Sequence, residues 1–337
     1  MLNLNYDEEN QRRFNDFFEV YRIESEVETK ALDKKYAYGD KGNKKCRFCG
    51  KTPPKVTFKK DTLLIPQFFG NQYLLSAFEC DACNEFFSNT YENSFSNYLS
   101  ADIPFSFLQD SISNKTPKHK IDQKLFDGFD AEFTIQETVD NNVEIVFQEG
   151  LEELINLDNG KNTITVKTKR KPYIPIYNFK LLVKIALSIL PDEEMKNYSN
   201  TLKFLMNDKI NRKLKDLKTI FIFENFISGT PLFTKPYAFL CTKKDEYRNK
   251  PYFSKTFILY SGNHFYQIYI PFTSFDKNLV GQNVALIPYP VTIDKKNLEP
   301  GVKYQTTGKI MNGCDIIKDD IHHIIFEFME PTLVKSE

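Results

Sequence analysis

Four cysteines in two close pairs are the residues with the most specific chemistry in this chain. Cys46 and Cys49 form one CxxC pair, and Cys80 and Cys83 form a second. Two such pairs supply the four thiolates that a tetrahedral zinc ion requires. Because four protein ligands leave no position for water, a zinc ion held this way is structural rather than catalytic. We therefore predict a structural Zn²⁺ bound by these four cysteines.

Two disulfide bonds in a secreted protein are the alternative use of the four cysteines. The N-terminal residues lack a basic stretch followed by an apolar signal core, and no run of about 18 apolar residues could cross a membrane. We therefore expect a cytoplasmic protein in a reducing compartment, where paired CxxC motifs favour metal. Cys241 and Cys314 stand apart in apolar surroundings, which is typical of buried cysteines.

Positive charge is concentrated around the first cysteine pair. The chain has 45 basic and 45 acidic residues, so its total charge does not indicate a polyanionic partner. Residues 34–60 nevertheless hold ten basic residues against one acidic residue, a local charge of +9. A basic surface around a zinc knuckle is a candidate phosphate-binding surface, and a solvated charged loop is the alternative. The predicted nucleic-acid contacts are Lys44, Lys45, Arg47, Lys59 and Lys60.

The residues between the two cysteine pairs complete a longer motif. CxxCG is followed by an apolar run ending at Pro66, a Phe-Gly-Asn triplet at 69–71, and Glu-Cys-x-x-Cys-Asn at 79–84. Over residues 36–98 this order resembles the zinc-bearing branch of the HNH endonuclease family. The resemblance implies a treble-clef zinc finger that encloses a ββα-metal active site. It also implies a nucleic-acid partner, DNA more than RNA.

One position departs from the pattern of that family. Counting back from Pro66 places the family's general-base histidine on Leu63, whereas Asn84 and Asn71 keep the final and middle catalytic positions. A leucine side chain cannot take a proton from water. The resemblance therefore implies a site without its base, with Mg²⁺ or Mn²⁺ as a cofactor only if cleavage survives. Leu63 is either natural or engineered.

The chain as a whole predicts an α+β fold in four parts. A helical segment (1–35), an HNH-like zinc-binding domain (36–100) and a linker (101–125) precede a larger domain (126–335). That larger domain combines a helix pair with many strand-like runs, which is typical of an antiparallel sheet with segregated helices.

Apolar spacing places the elements of the larger domain. One helix carries its apolar residues on a single stripe and stops at Pro191, and a second begins at Asp192. The run 163–171 alternates and ends in a basic face, which is either a phosphate contact or an exposed edge strand. Further predicted strands are 131–136, 143–147, 219–223, 237–241, 256–260, 264–270, 284–287 and 323–328.

Three functions fit these features. The first is an HNH-endonuclease-like zinc protein that binds nucleic acid and has lost or impaired cleavage. By resemblance, such proteins often act in bacterial phage defence. The second is an active metal-dependent HNH endonuclease with an unrecognised general base. The third is a protein-interaction module with a purely structural finger, in which the C-terminal domain docks a protein partner.

Overall fold

The structure is a computed structural model that describes residues 8–29, 34–42, 44–101, 119–121, 131–137, 143–147, 155–158, 160, 162–207, 220–226, 233–290 and 305–327. Within these residues the helices are α1 (Glu8–Val20), α2 (Asp81–Phe87), α3 (Asn93–Tyr98), α4 (Pro175–Ser188) and α5 (Ser199–Met206). The strands are β1 (Tyr21–Glu28), β2 (Tyr36–Tyr38), β3 (Leu74–Ser76), β4 (His119–Ile121), β5 (Ala131–Glu137), β6 (Val143–Phe147), β7 (Ile155–Asp158), β8 (Thr163–Lys169), β9 (Phe221–Phe226), β10 (Phe233–Lys243), β11 (Lys255–Gly262), β12 (His264–Tyr269), β13 (Gln305–Ile310) and β14 (Ile321–Glu327).

A six-stranded antiparallel sheet forms the centre of the fold. Its strands run in the order β1-β10-β11-β12-β9-β13, and every neighbouring pair is antiparallel. β11 and β12 form a hairpin that turns at Gly262-Asn263, a dipeptide that favours such turns. Because side chains alternate along a strand, each face of the sheet supports its own apolar core.

The N-terminal segment contributes a strand as well as the predicted helix. α1 packs on one face of the large sheet through Phe17 and Val20. From Tyr21 the chain continues as β1, which pairs with β10 at the edge of the sheet. The segment predicted as a helical unit over 1–35 is therefore divided between a helix and an edge strand.

Two smaller antiparallel sheets have the orders β14-β8-β7 and β4-β5-β6. The β5–β6 pair is the hairpin that the sequence predicts for 131–136 and 143–147. β8 lies between β14 and β7 in its sheet. The interpretation of residues 163–171 as an exposed edge strand is therefore wrong. The predicted linker, 101–125, lies outside the described residues except for residue 101 and β4.

The helix pair is confirmed, but α4 is buried far more completely than its apolar stripe predicts. Every residue from Phe179 to Ser188 is buried, including Lys180 and Lys184. A helix that is covered on all sides must have partners on all sides. α4 packs against the helical segment after the second cysteine pair on one side and against β12 on another. It therefore lies between the cysteine-bearing unit and the large sheet.

The strand predicted at 284–287 is wrong. This segment is irregular, and the backbone of Ile287 is bonded to side chains rather than to a neighbouring strand. Its N–H donates to the Tyr269 hydroxyl at 2.7 Å, and its carbonyl accepts from that hydroxyl at 2.8 Å and from Gln267 at 3.0 Å. The segment therefore lies over the face of the sheet instead of extending it.

These elements confirm the α+β class: a four-cysteine unit is followed by a larger antiparallel sheet with helices. The boundaries at 35/36, 100/101 and 125/126 stay predictions. Among the described helices, none combines the length and the apolarity needed to cross a lipid bilayer.

A buried ion pair joins α4 to the cysteine-bearing unit. The Lys184 ammonium lies 3.1 Å from the Glu79 carboxylate, both side chains are 0% exposed, and Glu92 lies 3.9 Å away. The Lys184–Glu79 contact is close but lacks the alignment of a hydrogen bond. Burial raises the pKa of Glu79 to about 7, and the charge of Lys184 opposes that rise.

We expect Lys184→Met to lower the free energy of unfolding by about 3–5 kcal/mol, because it leaves the Glu79 carboxylate buried without its counter-ion. Urea unfolding followed by circular dichroism measures this change. The double variant Lys184→Met/Glu79→Gln should regain most of the loss. A single variant within about 0.5 kcal/mol of the parent would show that the pair is not a structural constraint.

Candidate metal centre and nucleic-acid interface

The first cysteine pair lies in a tight turn. The Gly50 N–H donates to the Cys46 carbonyl at 2.9 Å, and the Cys46 N–H donates to the Lys51 carbonyl at 2.9 Å. Gly50 has a φ of +70°, a conformation that side chains with a Cβ disfavour. This turn directs both thiols of the pair to the same side.

The second cysteine pair lies at the start of α2. Cys80 is the residue before the helix and Cys83 is in its first turn, so both thiols face the turn at Cys46. The described helical segment continues without a break through a π-helical turn, Ser88–Glu92, into α3. α2, the π-helical turn and α3 are together called the site helix below.

The four sulfur atoms have the spacing of a tetrahedral metal site. Cys46 Sγ and Cys83 Sγ lie 3.7 Å apart, and Cys49 Sγ and Cys80 Sγ lie 3.8 Å apart. All four lie within 4.8 Å of one another. A tetrahedron with zinc–sulfur bonds of about 2.3 Å has edges of about 3.8 Å. The residues present therefore fit a zinc ion.

The thiols are also arranged to favour a thiolate. The close contact between the Cys46 and Cys83 sulfur atoms lowers the pKa of the Cys46 thiol to about 4, although burial opposes this change. Burial raises the pKa of Cys80 to about 11, and the bond to Cys46 raises the pKa of Cys83. One sulfur is thus already suited to carry negative charge, and a cation among the four would favour the ionised form of the others.

A short antiparallel pairing precedes the second cysteine pair. The Leu64 N–H donates to the Leu74 carbonyl, the Ser76 N–H donates to the Thr62 carbonyl, and Leu63 bridges Leu75. On its other side β3 pairs with β2 in parallel. The hairpin-and-helix arrangement that the resemblance implies is therefore present around the cysteines.

Asn71 closes the loop of this hairpin. Its side-chain amide donates to the carbonyls of Ile65 and Leu74 at 2.8 and 2.9 Å. Its side-chain oxygen accepts from the N–H groups of Leu74 and Tyr73 at 2.9 and 3.2 Å. The buried side chain of Asn71 therefore holds the two ends of the loop together. Its catalytic role stays a prediction.

Leu63 and Asn84 occupy the two remaining predicted catalytic positions. Leu63 is half-buried in the hairpin, whereas Thr62 beside it is buried. Asn84 is half-buried in α2, and its backbone N–H donates to the Cys80 carbonyl. Neither Leu63 nor an amide can serve as a general base.

Four of the five predicted nucleic-acid contacts lie on the surface close to the cysteines. Lys44, Lys45, Lys59 and Lys60 are exposed, and they are called the lysine patch below. The Lys44 ammonium lies 5.4 Å from the ring centre of Phe58. Lys44 and Lys45 immediately precede the first cysteine ligand, Cys46, in the chain.

Asp81 fixes the other half of the lysine patch, a role that the sequence analysis missed. Its carboxylate accepts from the N–H groups of Lys59 at 3.0 Å and Lys60 at 2.9 Å, and from the Thr57 hydroxyl. Slight burial would raise the pKa of Asp81, but these hydrogen bonds hold it below its usual value. The position of Asp81 in the first turn of a helix, where acidic side chains commonly accept backbone N–H groups, was the sequence feature that could have indicated this role.

Arg47 is held elsewhere. Its guanidinium donates at 2.9 Å to the carbonyls of Leu187, Ser188 and Leu190 at the end of α4, and it pairs with Asp192. Its side chain is only 7% exposed. The structure therefore places Arg47 as a cap on the C-terminus of α4, apart from the lysine patch.

Within the described residues, the four cysteines are the one group of three or more His, Cys, Asp or Glu side chains that could share an ion. His264 packs against Phe226 and Tyr266, and His322 lies 3.4 Å from Arg170. These two histidines are thus engaged in contacts outside the hairpin.

We expect the purified protein to contain about one zinc ion per chain by elemental analysis. Cys83→Ser should lose that zinc and unfold at lower temperature, because the free energy of metal binding contributes to folding and the ion would join the turn at Cys46 to the start of the site helix. Cys314→Ala is the control, because that buried cysteine lies outside the cluster and should leave the zinc content unchanged. Full zinc occupancy in Cys83→Ser would contradict the assignment.

Comparison with known protein families gives a match in the cysteine-bearing segment. The family model described as HNH endonuclease matches residues 46–100. No curated protein and no solved structure gives a significant match. The matched range begins at the first cysteine ligand and ends just after α3, so it covers the metal centre, the hairpin and the site helix. The segment that holds the four-cysteine cluster thus carries an HNH endonuclease family domain.

Proposed function

We propose that this protein binds nucleic acid, DNA more than RNA, through the lysine patch of its HNH domain, and that its cleavage activity is lost or impaired. One observation carries the binding proposal. Both halves of the patch lie next to the metal centre in the chain, and one half is also held there: Asp81, between Cys80 and Cys83, accepts hydrogen bonds from the backbone of Lys59 and Lys60, whereas Lys44 and Lys45 directly precede Cys46. The HNH family match adds support, since a nucleic-acid substrate is implied by it.

The anchoring distinguishes this patch from a solvated charged loop. Lysines on a free chain lose conformational entropy when they bind, whereas the backbone of Lys59 and Lys60 is already held by Asp81. Exposed ammonium groups replace condensed counter-ions on the phosphate backbone, so binding should weaken steeply with salt. A zinc ion in the cluster would hold the geometry of the patch without taking part in chemistry.

Three observations support the loss of cleavage. Leu63, which the resemblance aligns with the family's general base, lies in the hairpin; the side chain of Asn71 is occupied by hydrogen bonds to the loop; and the described residues hold no second cluster of metal ligands. A metal-dependent nuclease needs both a base and a divalent ion at the scissile phosphate. A role in bacterial phage defence would follow from the resemblance alone, and the genes that neighbour this one would test it.

Charge reversal of the lysine patch tests the binding proposal. Lys44→Glu/Lys45→Glu/Lys59→Glu/Lys60→Glu should weaken duplex DNA binding by at least about 100-fold at low salt. It should also reduce the slope of log affinity against log salt by about 3 to 4. Fluorescence anisotropy over a salt series measures both quantities.

The matched control reverses four exposed lysines outside the HNH domain: Lys196, Lys203, Lys250 and Lys277. This control changes the net charge by the same amount. It should therefore show only the small loss of DNA affinity that comes from the total charge of the protein. Equal losses in the two variants would mean that the patch is not the binding surface. Absence of DNA binding in the parent protein would favour the interaction-module function.

Supercoiled plasmid incubated with the protein and Mg²⁺ or Mn²⁺ should remain uncut, because no base stands at Leu63. Gel electrophoresis over several hours measures nicking. Metal-dependent nicking that Asn84→Ala abolishes would instead establish the active endonuclease with an unrecognised base. Nicking that Asn84→Ala leaves unchanged would indicate a contaminating nuclease, and the preparation would have to be repeated before a conclusion.

A further inference from the structure

An open groove runs along the outer side of the site helix. It has a volume of about 490 Å³ and faces the loop that follows Pro66. Its lining consists of Phe68, Ser88, Asn89, Glu92, Asn93 and Ser96. The groove begins one helical turn after Asn84, so it adjoins the HNH site without including its predicted catalytic residues.

The groove is lined by groups that suit a heterocycle and repel a phosphate. Two amides and two hydroxyls offer neutral donors and acceptors, and no Lys or Arg is part of the lining. The only charged lining group is the Glu92 carboxylate, whose side chain is 20% exposed. A phosphate placed here would meet the Glu92 carboxylate, because the Lys184 ammonium 3.9 Å behind that carboxylate is 0% exposed. A nucleobase would instead find hydrogen-bonding partners on its edge.

Phe68 supplies an aromatic wall whose position is fixed. Its ring centre lies 4.6 Å from that of Phe69 and 6.1 Å from that of Phe95, the latter nearly parallel at 19°. The ring is half-buried, so part of it remains available to the groove. Stacking on an aromatic ring stabilises unpaired bases by about 1–3 kcal/mol each.

The lysine patch adjoins one end of the groove. The Lys60 ammonium lies 3.6 Å from the Glu85 carboxylate, and Asn89 and Asn93 follow Glu85 at intervals of four residues along the site helix. Such residues are neighbours on a helix surface, and eight residues span about 12 Å. A strand whose phosphates lie on the lysines can therefore place its next bases in the groove.

We propose that this groove binds an unpaired nucleobase that carries an exocyclic amino group, and this inference rests on the proposed function. Phe68 stacks on the base, Asn89 and Asn93 bond to its edge, and Glu92 accepts from its amino group. Cytosine, adenine and guanine carry such a group and thymine does not, so the preferred ligand is single-stranded nucleic acid rich in any of these three bases. Cytosine is distinguished from thymine by the donor at its position 4.

Anisotropy measurements with single-stranded dC₁₂ and dT₁₂ oligonucleotides test the proposal on the full chain. The parent should bind dC₁₂ more tightly. Asn89→Ala/Asn93→Ala should weaken dC₁₂ binding by at least about tenfold while leaving the salt slope unchanged, because the lost contacts are to bases and not to phosphates. Glu92→Gln should reduce the preference for dC₁₂ over dT₁₂.

Asn15→Ala is the matched control, since Asn15 is an exposed asparagine on α1, away from the site helix, and this variant should bind like the parent. If the parent binds both oligonucleotides with a steep salt slope but equally, or if Asn89→Ala/Asn93→Ala changes nothing, the groove assignment is overturned and nucleic-acid binding stands. If the parent binds neither oligonucleotide nor duplex DNA, the proposed function fails and the groove assignment fails with it.

Discussion

The contact between Lys184 of α4 and Glu79 beside the metal centre fixes how the two halves of this protein meet. Neither side chain is reached by solvent, and a charge removed from water is tolerable only next to its counter-ion. Any displacement of the HNH domain along α4 would separate the pair without rehydrating it. Arg47 adds a second constraint, since its guanidinium binds three carbonyls at the C-terminus of α4, where the helix dipole favours a cation.

A second polar junction holds the far end of the site helix. The Tyr98 hydroxyl donates to Glu224 on β9, and Lys309 on β13 contacts both. The Arg170 guanidinium lies 4.3 Å from the ring centre of Tyr98. Because Arg170 also pairs with Asp320, this junction connects α3 to the large sheet and to the β14-β8-β7 sheet. The site helix is therefore anchored at both ends, with the groove surface between the anchors left open.

The charges that the lysine patch exposes differ from the contacts that order it. The lysine patch is exposed and locally repulsive, so its positive charge contributes little to stability and is screened by salt. The backbone of Lys59 and Lys60 is ordered instead by an acidic neighbour, the carboxylate of Asp81. The charge that we propose binds nucleic acid and the contacts that hold the fold are thus carried by different atoms, so mutation can change either one without the other.

The sequence alone determined the features that depend on local spacing. The two CxxC pairs predict a cluster whose sulfur spacing fits zinc, the apolar stripe that stops at Pro191 predicts α4, and the two strand-like runs around residues 140–142 predict the β5–β6 hairpin. Tertiary structure decided the partners of long polar side chains, because these depend on contacts between residues far apart in the chain. In the sequence, Arg47 is one more cation of the basic segment. In the structure its guanidinium donates to the carbonyl of Leu187, which lies 140 residues later in the chain. Lys184 lies outside the apolar stripe of its helix, where a solvent-facing side chain is expected. It is buried because the site helix and the large sheet cover different sides of α4. The segment 284–287 has the composition of a strand, but the backbone of Ile287 bonds to the side chains of Tyr269 and Gln267, and the Ala285 N–H donates to the Pro251 carbonyl.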